Sequence, residues 1–597
     1  MKEFLKMTFA TICGIVLLSV ISGILFMISL VGMMASESAS TKVKDNSVFV
    51  LKLQGVVSER TEDGSPLSML LGRADMEAMG LDDIVASIRK AKDEEDIKGI
   101  YIEGGAASFD SPATAQQVRD ALLDFKKSGK WIIAYADQYM QTSYWVASVA
   151  DSLFLNKTGM IDFKGLGGKR EYMTGLYEKL GVKYQATRVG KYKSAVESVT
   201  RKDMSDDDRE QRTAYLQGIW QRMLKDMAES RKTTAQQLDQ LANDSIIAFA
   251  DTKDYIKAKL VDGVMYPEKI KEVIRKKLGL DDDDDDINQL SLTEMTNVKQ
   301  KKKDKGDEVA VYYAYGEILD KQASGFSSEH AIVGSTVVDD MNELADDDDV
   351  KAVVIRVNSP GGSAVASEQI WHAIQNLKAK KPVVVSMGGM AASGGYMMSA
   401  GASYIFAEPT TITGSIGIFG LIPNFSGLVT DKLGVTFDGV KTNRFGDYEE
   451  NLIFSNDNAE EIDNLQHYVD RGYETFLGIV AQGRKMTRDQ VHEIAQGRVW
   501  LATDALGIKL VDKLGSLDDA VKKAAELAKL GEEYHTKTYP GETGWLENMF
   551  GNEDKGTYLD SEMRALLGDL YEPIIEARRD QQRNRLQARW PYSARVK

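Results

Sequence analysis

Residues 349–389 read DVKAVVIRVNSPGGSAVASEQIWHAIQNLKAKKPVVVSMGG, and residues 96–137 read DIKGIYIEGGAASFDSPATAQQVRDALLDFKKSGKWIIAYAD. Both start on an aspartate with a lysine two residues on and enter a short apolar run. Both then turn through small residues, take on helical spacing of apolar positions, and end in a second apolar run. Short apolar runs separated by amphipathic helices predict parallel strands joined by right-handed crossovers. The likeness continues on both sides. SVFVLKLQGVV from Ser47 matches EVAVYYAYGEI from Glu308, and YEKLGVKYQ around Gly181 matches TDKLGVTFD around Gly434. Even the ends correspond, AKLVDGVMYPEKIKEVIRKKL against IKLVDKLGSLDDAVKKAAELA. The chain therefore reads as two copies of one α/β unit of roughly 250 residues each.

The repeat divides the 597 residues into 47–280, 308–530 and three connecting or terminal pieces. Residues 281–307 hold Asp281–Asp286 and Lys301–Lys303 and read as a solvated, charged linker, because like charges repel and rarely pack. The aspartate run lacks the glycine turn and terminal glutamate of a calcium loop. Residues 531–597 form a C-terminal extension that ends in a basic stretch, suited to acidic lipid, a neighbouring subunit or solvent. Residues 1–46 contain an uncharged apolar run from Met7 to Ala35. It exceeds the about 20 residues a bilayer-spanning helix needs and the about 7–15 of a cleaved leader's core, so a membrane anchor is expected. Lys2 and Lys6 precede it while Lys42 and Lys44 follow, a weak balance that favours a cytoplasmic N-terminus with the bulk of the chain outside.

Composition excludes several classes. A net charge of −16 argues against a nucleic-acid binder. The single cysteine, Cys13, permits no internal disulfide, and five scattered histidines without metal-ligand spacing make no metal site. No organic cofactor motif is evident either.

Where the two copies differ is more telling. Ser386–Ala407, SMGGMAASGGYMMSAGASYIFA, follows an apolar strand and contains Ser386, Ser393, Ser399 and Ser403. In the first copy Tyr144 aligns with Tyr396, and Gln141 stands where Ser393 stands. The loss runs the other way in the segment RVGKYKSAVES, Arg188–Ser198. It aligns with KTNRFGDYEEN from Lys441, so Lys193 faces Gly446. One copy keeps a serine turn and the other a lysine loop, the pattern a composite site between two halves would leave.

With NSPGG (Asn358–Gly362), AASGGY and GSIGIFG in the second copy and GKYKSAVE in the first, the chain resembles the long, duplicated form of the signal peptide peptidase A family. The similarity spans about Ser47 to Leu530 together with the N-terminal anchor. It implies two tandem ClpP/crotonase-like domains and a serine protease with a Ser/Lys dyad. It carries the nucleophile onto Ser393, the general base onto Lys193 and the residue orienting that lysine onto Ser415. Lys191 is set aside for Lys193 on the family match alone. The resemblance also implies leftover signal peptides as substrates, a ring-like homo-oligomer with the tetramer as the expected form, and the periplasmic side of a bacterial inner membrane.

The chemistry agrees with this reading. A serine hydroxyl needs an adjacent base, and no histidine is well placed to be one. A lysine serves only when neutral, which burial favours. Acyl transfer also needs fixed N–H donors for the developing oxyanion. Gly394, just after Ser393, fits this role; by analogy with the fold the resemblance implies, a second donor is expected at Gly361, with Gly362 held in reserve. The other serines, together with Ser359, Ser363 and Ser194, read as turn, cap or packing residues, and Tyr396 as a packing residue. Two readings from other classes stand beside the protease: a crotonase-type acyl-CoA enzyme on the same fold and a catalytically inactive membrane scaffold.

Overall fold

A computed structural model describes residues 40–61, 79–244, 247–280, 286–299, 306–321, 330–531, 533–541 and 587–589, with a few isolated positions before residue 40. The expected membrane span at Met7–Ala35 lies almost wholly outside these residues. Among the described residues no helix is long and apolar enough to cross a membrane. Most of the aspartate run and Lys301–Lys303 also lie outside them.

Each copy builds its own parallel sheet. In the first, the strands Gln289–Leu290, Ser47–Lys52, Ile97–Glu103, Trp131–Tyr139, Ser152–Ile161 and Gly263–Val264 lie side by side in that order. In the second the order is Val499–Leu501, Ile412–Gly414, Val383–Ala392, Val350–Ser359, Asp307–Tyr315 and Tyr534–Tyr539. Only the pairing of Val499–Leu501 with Ile412–Gly414 is antiparallel. The strands read as continuous apolar runs because helices cover their faces. Val383–Ala392, for instance, is buried at all ten positions.

Pseudo-symmetry reaches individual contacts. Tyr144 Oη donates to Leu260 O at 2.8 Å and Tyr396 Oη to Leu510 O at 2.9 Å. Arg231 pairs with Asp262 and Arg484 with Asp512, each where a 26-residue helix returns to the sheet. Tyr396 is thus a packing residue, as its persistence in both copies implied.

Two boundaries shift. Part of the expected linker, Gln289–Leu290, adds an edge strand to the first sheet, followed by the helix Leu292–Thr296 with a Ser291/Glu294 capping box. Tyr534–Tyr539 makes the same parallel edge pairing in the second sheet, although it falls in the expected C-terminal extension. Both are half-polar edges, one of two residues and one of six, so neither announces itself as an apolar run.

A third sheet crosses between the copies. Its order is Ala331–Val333, Glu317–Leu319, Gly361–Ser363, Gln587–Arg589, Phe419–Asn424 and Lys183–Arg188. Lys183–Arg188 from the first copy pairs antiparallel with Phe419–Asn424 from the second over six residue pairs. This pairing delivers the lysine loop to the serine turn.

Candidate active site

The strand Val383–Ala392 runs straight into Ser393, whose backbone takes φ +56° and ψ −115° before the helix Gly394–Ser399 begins. A positive φ at a non-glycine residue costs about 1–3 kcal/mol and persists only where the surroundings impose it. Here they do. Ser393 N–H donates to Gly414 O at 2.8 Å, and Ser393 O accepts from Met397 N–H at 2.8 Å. The neighbouring glycine at 395 lets the turn close on the NSPGG loop, since a Cβ there would lie 2.9 Å from Ser359 O. In the first copy Gln141 instead opens the helix Gln141–Ala147 behind an ordinary extended residue. Its Oε1 accepts from Lys164 N–H and Gly165 N–H, both at 2.9 Å, and its Nε2 donates to Gly165 O at 3.1 Å. The amide is fully engaged in holding a loop.

Lys193 reaches the strained serine from the other copy. Its Nζ lies 2.8 Å from Ser393 Oγ, 3.0 Å from Ser415 O and 3.1 Å from Ser415 Oγ. The side chain is 2% exposed, and burial alone pulls its pKa from 10.5 down to about 7. A neutral amine has two hydrogens and one lone pair. Two donations to Ser415 leave the lone pair facing the Ser393 hydroxyl, which is the arrangement that takes a proton from it. Ser415 itself has φ +49° and is held by its N–H to Arg498 O at 2.7 Å. Lys191, two residues away, is half-exposed and pairs with Asp207 at 3.3 Å.

Gly394 is the first residue of its helix, so its N–H has no helical acceptor. Gly361 opens the strand Gly361–Ser363 at φ +94°. Its N–H donates to Ser359 Oγ at 3.1 Å, so a substrate oxygen arriving there would take the place of that hydroxyl. Gly362 packs against the strand Glu317–Leu319, where a Cβ would meet Ile318 O.

The root of the NSPGG loop is gripped by the first copy, which the sequence did not signal. Asn358 Nδ2 donates to Glu59 Oε2 at 3.1 Å and Asp110 Oδ2 at 3.2 Å, while its Oδ1 accepts from Met390 N–H at 3.0 Å. Arg356, two residues earlier, pairs with Glu59 in the same buried seam. Burial and the neighbouring Glu59 push Asp110 up to about 7.

The remaining serines are structural. Ser386 accepts from Arg356, Ser399 donates to Gly395 O, Ser403 accepts from Val383 N–H, Ser359 donates to Gly316 O, and Ser363 caps the helix Ala364–Lys380. Ser194 turns away from Lys193 and donates to Asp208 Oδ1 at 2.6 Å. Among the described residues no cluster of His, Cys, Asp or Glu is arranged to hold a metal ion.

The sequence matches Peptidase family S49 over residues 124–281 and again over 375–531, and a Clp protease family over 311–411. It is 34% identical over 557 residues to Protease 4 of Salmonella typhi, covering 91% of this chain and 86% of that one. With Protease 4 of Haemophilus influenzae the identity is 36% over 530 residues, or 84% and 83% of the two chains. The chloroplastic serine protease SPPA of Arabidopsis thaliana is 27% identical over 500 residues, 82% of this chain and 70% of that protein. Two S49 matches fall one on each copy, and the composite serine–lysine pair lies where they meet: the chain belongs to Peptidase family S49 and is a serine protease.

Proposed function

We propose that the protein is a membrane-anchored endopeptidase whose dyad is Ser393 and Lys193 and whose substrates are cleaved signal peptides and other apolar peptides near the membrane. The observation that carries this reading is the 2.8 Å approach of a buried, neutral-tending Lys193 Nζ to Ser393 Oγ. Ser393 Oγ attacks the peptide carbonyl carbon as its proton passes to Lys193 Nζ. The carbonyl oxygen, now negative, is received by the N–H groups of Gly394 and Gly361. As the C–N bond breaks, Lys193 returns the proton to the leaving amine. It then takes a proton from water, which attacks the ester, and passes that proton to Ser393 Oγ as the C–O bond to the serine breaks. Ser415 holds Nζ in place through both steps.

The cleft favours extended peptides. Gln587–Arg589 of this chain lies antiparallel to Gly361–Ser363 on one side and meets Phe419 on the other. A substrate backbone entering as an added strand would use the same two edges. Neither a crotonase-type enzyme nor an inactive scaffold accounts for a buried lysine directed at a serine.

The second copy's counterpart of the lysine loop supports a ring-like homo-oligomer, with the tetramer as the assembly the reading favours. Residues 430–446 are exposed and include Leu433, Val435, Phe437, Val440 and Phe445. In the first copy the matching segment pairs with the strand Phe419–Asn424. That strand's own counterpart, around Leu166–Glu171, is irregular and largely exposed. Each copy thus offers half of the contact that already joins the two copies. Such a head-to-tail contact closes into a ring when the rotation permits. Val440→Asp with Phe437→Asp should convert the native assembly to monomers in sedimentation. An unchanged sedimentation coefficient would refute this docking.

The functional reading is tested with the full chain purified from membranes. An apolar signal-peptide sequence should be cleaved internally, with a polar peptide of equal length cleaved at least about tenfold more slowly, the scale of modest pocket discrimination. Equal rates would refute the apolar preference, and recovery of the intact chain in the soluble fraction would refute the anchor.

A further inference from the structure

The mechanism leaves a question open in the geometry: what fixes an irregular loop so well that a lysine inside it stays dry and aligned? From the second copy, Gln496 O accepts from Tyr192 N–H at 3.0 Å. The adjacent Gly497 lies against the loop so closely that a Cβ would come within 2.6 Å of Lys193 N and Cβ. From the first copy the contact is Gln211, 1% exposed on the helix Asp206–Arg231. Its Nε2 lies 3.0 Å from Tyr192 O and 3.2 Å from Ser194 Oγ, the groups immediately before and after Lys193, and 3.0 Å from Asp208 Oδ1.

The other end of the same amide crosses between the copies. Gln211 Oε1 accepts from Val499 N–H at 3.2 Å. Val499 sits opposite Gly414 on the antiparallel strand, and the preceding Arg498 supplies the carbonyl that holds Ser415 N–H. One side chain therefore ties the loop carrying the base to the strand that supports the residue anchoring that base.

Resting on the dyad reading above, we propose that Gln211 is a positioning residue: its amide sets the depth and direction of Lys193 and joins it mechanically to Ser415. A carboxamide is the side chain that offers two donors and an acceptor at one end without charge. Neutrality matters here, because an anion beside Lys193 would favour its ammonium form. The charged groups around the loop are paired among themselves: Arg170 and Arg212 with Asp208, Lys191 with Asp207, Arg188 with Glu197, and Arg498 with Glu210.

The test uses the full chain and a fluorophosphonate that phosphonylates Ser393, followed as a function of pH so that no peptide substrate enters. Labelling of the wild type at Ser393 checks the dyad; its absence sinks that reading, whatever Gln211 does. Gln211→Met keeps the length and removes every hydrogen bond. It should lower the labelling rate about 10- to 100-fold, the scale of an ångström-level misplacement. Its acid limb should also move to higher pH as water reaches Nζ. Gln211→Glu keeps the acceptor for Val499 but adds an anion, and should move the acid limb at least as far. This second variant decides the matter if the methionine chain fails to fold. A rate that falls only in step with the folded fraction, with the acid limb unmoved, would reduce Gln211 to a packing residue and overturn the proposal.

Discussion

Ser393→Ala is expected to lower kcat by about ten-thousand-fold or more, Lys193→Ala by a comparable factor, and the double variant by no more than the worse single one. The reason is geometric. Ser393 Oγ and Lys193 Nζ share one proton across 2.8 Å, so neither group acts without the other. Removing the hydroxyl eliminates the acyl-enzyme route, and removing the amine leaves a buried hydroxyl with no base. What survives is binding and oxyanion stabilisation. Full activity in either single variant, or losses that multiply in the double one, would show that the nucleophile and base lie elsewhere. Steady-state kinetics on a cleavable peptide, with circular dichroism to confirm folding, is sufficient to decide.

The pH dependence should be nearly as large. Lys193 works only when neutral, and burial sets its pKa at about 7. kcat/KM should therefore climb about tenfold per pH unit below that point and level off above it, so that activity at pH 5 is about a hundredfold below that at pH 9. Stability should follow the same group. Between about 7 and the ordinary 10.5 the unfolded chain binds a proton that the folded chain does not, so unfolding becomes harder as pH rises through that window. Below pH 7 the full burial penalty applies, on the order of a few kcal/mol. Lys193→Met should abolish activity, raise the melting temperature at pH 6, and flatten its climb from pH 6 to 9. A wild-type rate that is flat from pH 5 to 9 would rule out a lysine base.

Much of this site was legible because the duplication provided an internal comparison. Gln141 opposite Ser393 and Gly446 opposite Lys193 marked one candidate position in each copy, and the structure brings the side chains of Ser393 and Lys193 together. The family match then carried Ser415, the place just after Ser393 suggested Gly394, and analogy with the fold suggested Gly361. Less legible were residues whose role depends on partners distant in sequence. Gln211 is an unremarkable position on a long amphipathic helix until Tyr192 O and Val499 N–H are seen on either side of it. Gly497 looks like a turn glycine, and only the packing shows that Lys193 lies against it. Glu59, Asp110 and Asn358 meet across roughly 250–300 residues, with no local pattern to announce them. The edge strands Gln289–Leu290 and Tyr534–Tyr539 escaped notice because their half-polar residues form no apolar run.

The capture of Gln141 by Lys164 and Gly165 makes the first copy's turn a structural joint. Replacing it by serine would strip two backbone N–H groups and a carbonyl of their partner. The restored hydroxyl would sit at an ordinary extended-to-helix junction, with Gly446 in place of a base. Several coordinated changes would be required before any activity returned, and the first of them alone would only destabilise the fold. If Ser393 and Lys193 act as proposed, neither copy could be restored to independence by a single substitution, which would make the division of labour a ratchet.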